Sequence, residues 1–297
     1  MFKSPDDVIS SLEEQNYIID KPIAVVIFLS ICLKKPLLLE GETGVGKTEL
    51  AKAVSSALNG RFIRLQCYEG IDANQVLYEW NYPKQLLKIR LLEKYMSPKE
   101  IEATIYSKDY LEKRPLYEAI STDGTIPPVL LVDEIDRADE DFEAFLLEYL
   151  SDFQISIPEL GTIKSRNIPI VILTSNRTRE LHDAIKRRCL YMWIDFPSKE
   201  KVYQIILKKV PRINETLAAH VTQFMHLVRE LDLEKKPGLS EIIDWAESLV
   251  FLHCAELNIG IVKETLGFII KNKYDIDIIN ENAITNLIEK TVCKNTI

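Results

Sequence analysis

The chain has 297 residues, with 37 basic and 45 acidic side chains and hence a formal charge of −8. That surplus of acid argues against a protein whose main task is coating nucleic acid, which leaves a basic footprint. With 46% hydrophobic and 28% charged residues the chain reads as neither disordered nor fibrous, and its length predicts roughly two domains. Met1 to Asp7 lacks the basic-then-apolar layout of a secretory signal, and the longest apolar run, Ile23 to Leu33, is too short to cross a bilayer. A cytoplasmic location without membrane contact is expected. Cys32, Cys67, Cys189, Cys254 and Cys293 are scattered without a CxxC pair, so reduced and mostly buried thiols are expected. His182, His220, His226 and His253 form no i, i+3 or i, i+4 pair, so a metal site made only of protein side chains is not expected.

In chain order, short apolar runs at Leu37 to Glu40, Phe62 to Gln66, Val129 to Val132, Ile168 to Thr174 and Leu190 to Ile194 predict buried strands. Their alternation with helical stretches predicts an α/β fold, a parallel five-stranded sheet flanked by helices. After Pro197 the strand signal disappears. Lys199 to Lys208, Glu215 to Leu231, Ser240 to Leu257, Val262 to Lys271 and Asn280 to Val292 read as amphipathic helices, and Ser198 is an N-cap candidate. The expected organisation is a nucleotide-binding α/β domain over 1–197, with an insert at about 68–128, and an all-α lid over 198–297.

The strongest motif is Gly41-Glu42-Thr43-Gly44-Val45-Gly46-Lys47-Thr48, a GxxxxGK[ST] loop between a strand candidate and the helix candidate Glu49 to Leu58. Such a loop offers backbone N–H groups and the positive end of a helix to a phosphate chain. Gly41 to Glu49 are therefore the predicted binding residues for ATP, with Lys47 reaching the β- and γ-phosphates and Thr48 holding Mg²⁺. Val129-Leu130-Leu131-Val132 runs into Asp133-Glu134, a buried strand ending in two carboxylates. Asp133 is the second predicted contact of Mg²⁺, largely through water, and Glu134 the group that polarises the attacking water. The next strand ends at Ser175-Asn176, where an amide could touch both γ-phosphate and water, although an Asn there is more often a turn residue. Arg187 and Arg188 precede the last strand. Such a pair is usually a solvated surface feature, but in a ring of subunits an arginine there could enter the neighbour's site.

This order of motifs, followed by a small helical domain, resembles the AAA+ ATPases. Within them, Lys35-Pro36-Leu37-Leu38-Leu39-Glu40-Gly41 and the hairpin candidate after Glu134 resemble the MoxR subfamily. RLQCYEGID (Arg64 to Asp72), LYEWNYPKQLL (Leu77 to Leu87), KRRCLYMWIDFP (Lys186 to Pro197) and KKPGLSEIIDWA (Lys235 to Ala246) resemble its branch associated with maturation of carbon monoxide dehydrogenase-type molybdenum enzymes. The resemblance covers residues 15 to 255. It implies a hexameric, Mg²⁺-dependent ATPase that remodels or helps assemble a protein client, often beside a partner carrying a von Willebrand factor A domain. It also implies that Asn176 is sensor 1 and that Arg188 is the arginine finger, with Arg187 as its rival. Many lids of this kind carry a sensor 2 arginine. Here Lys236-Pro237-Gly238-Leu239 supplies none, leaving Lys236 or Lys235 as the substitute.

Two regions are expected to meet a client. Tyr68, Tyr78, Trp80, Tyr82, Tyr95, Tyr106, Tyr110 and Tyr117 crowd the insert, most of them expected to pack it against the core. Gln154 to Ile157 and Thr162 to Lys164 around Pro158-Glu159-Leu160-Gly161 predict a hairpin. In the family such a hairpin would face the ring pore, and Leu160 is expected exposed at its tip. A DNA motor on the same core is the alternative, but the tip carries Glu159 with Lys164 as its flanking base. A nucleotide-binding scaffold without turnover is a third reading, disfavoured by intact Asp133, Glu134 and Asn176.

Overall fold

The computed structural model describes residues 1–293; residues 294–297 of the expected lid, and the side chains of Ala73, Asn74, Val292 and Cys293, lie outside the described residues. Two helices open the chain, α1 (Pro5–Glu14) and α2 (Lys21–Leu33), the first capped by Ser4, whose Oγ accepts from the N–H of Asp7 at 3.1 Å. Then follow β1 (Leu37–Gly41), α3 (Lys47–Ala57) and β2 (Phe62–Gln66). The insert holds α4 (Ala73–Leu77), β3 (Tyr78–Trp80), α5 (Tyr82–Leu92), α6 (Pro98–Ile105), β4 (Leu111–Lys113) and α7 (Pro115–Ser121). β5 (Val129–Asp133), α8 (Glu140–Asp152), β6 (Gln154–Ile157), β7 (Gly161–Lys164), β8 (Ile170–Ser175), α9 (Asp183–Arg188) and β9 (Leu190–Ile194) lead to the carboxyl-terminal helices. These are α10 (Lys199–Lys209), α11 (Glu215–Glu230), α12 (Leu239–Phe251), α13 (Ile259–Ile269), α14 (Lys273–Ile278) and α15 (Glu281–Cys293).

The central sheet has the order β2-β5-β8-β1-β9, with parallel pairing between β2 and β5, β5 and β8, and β8 and β1. β1, β5 and β8 are buried along their whole length, which is why they are uninterrupted apolar runs rather than alternating ones. Parallel pairing brings the ends of β1, β5 and β8 to one edge, where open α/β sheets bind ligands. β8 begins at Ile170 rather than Ile168, after Pro169, which has no N–H for the ladder.

The chain divides into two compact units. One comprises Met1–Gln15, Ile19–Glu40 and Thr48–Trp193; the other comprises Asn16–Ile18, Gly41–Lys47 and the chain from Ile194 onward. In the second, Trp245 is fully buried, its ring 5.5 Å from that of Phe224 and its N–H donated to Thr265 Oγ1 at 2.8 Å. That hydrogen bond lets a polar indole occupy an apolar core.

Several expectations need correction. α12 stops at Phe251, not Leu257, because His253 adopts φ 56° and the N–H groups of His253 and Cys254 return to the carbonyls of Val250 and Leu249. This is a Schellman closure built on a residue other than the usual glycine, so no glycine announced it. α13 starts at Ile259, ahead of Val262, because Asn258 caps it through Ile261 N–H at 3.0 Å. The insert contains a two-stranded antiparallel pairing of β3 with β4, not expected from the sequence. Trp80, Tyr110 and Tyr117 are buried and Tyr78 and Tyr106 pack on the same core, whereas Tyr68, Tyr82 and Tyr95 are exposed. Leu160 is not an exposed tip. The β6–β7 turn closes through Leu160 N–H to Ile157 carbonyl at 3.1 Å, and the leucine folds back, partly buried, on the core. The described cysteines are free, but only Cys67 among them is buried; Cys189 and Cys254 are half-buried and Cys32 is exposed.

Candidate active site

In the first unit the site is built on strand ends. β5 ends at Asp133, whose carboxylate is buried, and the chain turns at Glu134 with φ 55°. A glutamate in that left-handed region is strained by about 1–3 kcal/mol, a cost tolerated where the surroundings hold it. Here they do. Thr174 at the end of β8 donates from Oγ1 to Asp133 Oδ1 at 2.5 Å and accepts the Glu134 N–H at 2.9 Å. One hydroxyl thereby fixes both acidic residues. Thr48, at the start of α3, places its Oγ1 3.0 and 3.1 Å from the two Asp133 oxygens.

The Glu134 carboxylate accepts from Asn176 Nδ2 at 3.4 Å on one oxygen, and from Gln66 Nε2 at 3.1 Å and Arg137 Nε at 2.8 Å on the other. Arg64 on β2 directs Nε and Nη2 at Asp133 Oδ2, at 3.0 and 2.6 Å. At the end of β1, buried Glu40 accepts from Ser175 Oγ at 3.3 Å and Tyr191 at 3.0 Å, with Arg177 Nε 4.0 Å away. Burial, and then the Glu40 contact, raise the Tyr191 phenol above its usual range, so it stays a donor. Cys67 follows β2, its N–H on the Asp133 carbonyl at 2.9 Å. Burial first, and then the nearby carboxylates, push its thiol up to about 12. It is therefore a neutral neighbour of the acidic pair, not a nucleophile.

The phosphate-loop motif belongs to the second unit up to Lys47. Lys47 is buried, its ammonium 2.8 Å from the carbonyls of both Gly41 and Glu42. Gly44 has φ 81°, and a Cβ there would come within 2.9 Å of Gly238 Cα, so only glycine permits this approach to the start of α12. The Gly44 carbonyl accepts the Leu239 N–H at 2.8 Å, and that of Gly46 accepts the Tyr17 hydroxyl at 3.0 Å. Val45 is buried and Thr43 exposed. Glu49 is exposed and pairs with Lys52 at 3.3 Å.

Lys235 and Lys236 are exposed and their ammonium groups meet no partner among the described residues. The lid side chain that does reach the loop is Arg229 of α11. Its Nη2 lies 3.0 Å from Glu42 Oε2, its Nη1 donates to the Pro237 carbonyl, and its guanidinium lies 3.5 Å from the Phe196 ring centre. It lies several residues before the sequence segment where a lid arginine is sought, which is why motif reading passed over it. Buried Asp275 of α14 holds the approach to α12 by accepting the N–H groups of Glu234 and Lys235 at 2.9 and 3.1 Å. Arg187 and Arg188 end α9, exposed and without an ion-pair partner among the described residues. Thr174, Arg64, Gln66 and Arg137 were also missed. Each contributes one unremarkable polar side chain to a cluster assembled only by strand pairing.

Residues 36–189, which hold β1, the glycine loop running into α3 and the strand ending in Asp133-Glu134, match the family model described as the AAA domain of the dynein-related subfamily. The chain belongs to that family. As an AAA domain it is an ATPase and binds ATP. No curated protein matches the sequence. Among solved structures, a proline-to-glycine mutant of Thermotoga maritima RuvB is 16% identical, with 95% of this chain and 75% of that one covered, at a TM-score of 0.50. A second structure of the same protein, the Thermotoga maritima RuvB Holliday junction branch migration motor, is 17% identical over 89% of this chain and 71% of that one, at 0.45. At these identities the likeness concerns the fold alone. No helix among the described residues of this AAA domain is long and apolar enough to cross a membrane.

Proposed function

We propose that this AAA domain hydrolyses Mg²⁺-ATP to remodel or help assemble a protein client, in the manner of the MoxR-type ATPases. The observation that carries the chemistry is the meeting of Thr48, Asp133, Glu134 and Asn176 at the strand ends. Thr48 and Asp133 fit Mg²⁺. They are adjacent hard oxygen donors, and one hydroxyl with one carboxylate suits an ion that keeps water and phosphate oxygens as its remaining ligands. When bound, Mg²⁺ supplies neutralisation of phosphate charge. The loop Gly41 to Glu49 is the phosphate cradle, with Lys47 exchanging two backbone carbonyls for phosphate oxygens. Glu134 is the base toward water, and Asn176 orients it as sensor 1.

Arg188, with Arg187 as its rival, is proposed to enter a neighbour's site in a homo-hexamer. Both stand exposed at a helix end. In the lid, assigned to residues from about 198 onward, Arg229 replaces Lys235 and Lys236 as the basic residue of the loop. A protein client, with a separate partner carrying a von Willebrand factor A domain, is favoured over nucleic acid by the net charge of −8 and by exposed Leu86, Leu87 and Leu91 on α5. A cytoplasmic setting accords with this reading.

The deciding experiment is Glu134→Gln. Turnover should fall by roughly 10²–10⁴ while ATP affinity stays within about threefold. Normal phosphate release from that variant would remove Glu134 from its role. Arg188→Ala should be inactive alone and regain turnover when mixed with Glu134→Gln subunits that donate an intact arginine; no recovery in mixtures, with Arg187→Ala recovering instead, would move the finger to Arg187.

A further inference from the structure

Asp133 is the one proposed metal contact that already faces a full positive charge. Its side chain is 3% exposed, and a buried carboxylate is costly unless a counter-charge and hydrogen bonds satisfy it. Thr48 and Thr174 supply hydroxyls, mainly on Oδ1. Oδ2 receives two donors of one guanidinium, Nε at 3.0 Å and Nη2 at 2.6 Å. Arg64 therefore stands on the face of the carboxylate that a cation would use.

The backbone explains how it gets there. β2 is an edge strand of the central sheet, with β5 as its neighbour, and Arg64 and Gln66 alternate with buried Ile63 and Leu65. Gln66 is directly opposite Asp133, and Arg64 is opposite Leu131, so a long side chain at 64 reaches along the strand to the carboxylate. Arg64 is also 47% exposed. It can leave toward water without opening the core, whereas Asp133 cannot move.

We infer that Arg64 is a resident competing cation for the metal contact, holding Asp133 Oδ2 in the nucleotide-free protein and released when Mg²⁺ arrives with the nucleotide. This rests on the reading of Thr48 and Asp133 as the Mg²⁺ contacts. Two cations on one buried carboxylate repel, so binding of the metal includes displacement of the guanidinium. The exchange replaces the single charge of the guanidinium at Asp133 by the double charge of Mg²⁺, whose surplus the nucleotide phosphates would meet. Its consequence is that metal-bound nucleotide meets a resistance at Asp133 that metal-free nucleotide does not.

The test uses the full chain as wild type, Arg64→Gln and Arg64→Lys, with ADP as the nucleotide and Mn²⁺, followed by its electron paramagnetic resonance signal, as the metal. Arg64→Gln should bind Mn²⁺ in the presence of ADP about tenfold more tightly than wild type, equivalent to about 1.4 kcal/mol, with ADP affinity in EDTA unchanged. Arg64→Lys, which keeps the charge, should lie closer to wild type. Melting distinguishes a gate from a plain structural ion pair. Arg64→Gln should be less stable than wild type in EDTA and recover with Mg²⁺ and ADP. Unchanged or weaker Mn²⁺ binding, or an equal loss of stability in both conditions, would overturn the inference. A wild type that binds ADP with no coupling to metal would defeat the Mg²⁺ assignment itself, an outcome distinguishable because it precedes any substitution at Arg64.

Discussion

The Gly41–Lys47 loop and the carboxylate cluster at the end of β5 solve one problem in opposite ways. In the proposed function each holds a charge that a ligand would meet. Lys47 donates to the carbonyls of Gly41 and Glu42. Asp133 rests on a guanidinium. Phosphate oxygens replacing those carbonyls would give the lysine an anionic acceptor, a charge-assisted and stronger hydrogen bond. A metal replacing Arg64 must first undo an ion pair. On the proposed reading the phosphate side is poised to accept and the metal side is guarded.

The largest expected effect comes from attacking the poised side. Lys47→Ala removes the cation and should lower turnover by about 10²–10³, read by phosphate release, together with a loss of fluorescent ATP-analogue binding. Were binding unaffected, the loop would not be the phosphate cradle. A smaller effect, about tenfold in ATP affinity or roughly 1.4 kcal/mol, is expected for Arg229→Ala, against changes under about twofold for Lys235→Ala and Lys236→Ala. The reverse ranking would return the lid contact to the lysines. The smallest effect is chemical. Cys67 and Cys189, whose thiols burial pushes up to about 12, remain protonated at pH 8 and should resist iodoacetamide. Exposed Cys32 should be labelled first, as peptide mapping by mass spectrometry would show, and labelling should leave ATP binding intact. Early labelling of Cys67 would mean that the β5 end opens readily.

The central strands β1, β5 and β8 were legible because each is fully buried, and burial on both faces writes an unbroken apolar run into the sequence. The loop motif was legible because its glycines answer local backbone needs, Gly44 above all. β3 and β4 were not, since three-residue strands separated by two α-helices and a 3-10 helix carry no local signature. Leu160 was misjudged because a turn position predicts solvent, and only the path of β6 and β7 shows that the leucine returns to the core.

By itself the sequence determined the α/β class, the order of the sheet-forming segments and the residue types of phosphate and metal chemistry, because these depend on periodicity and on contiguous spacing. Only the tertiary structure decided the partners. Arg64 comes to Asp133 from 69 positions away, Thr174 from 41, and Arg229 to Glu42 from 187. The physical reason is that an ion pair or hydrogen bond requires only proximity in space, and parallel strand pairing and helix packing create that proximity without leaving a local pattern in the chain.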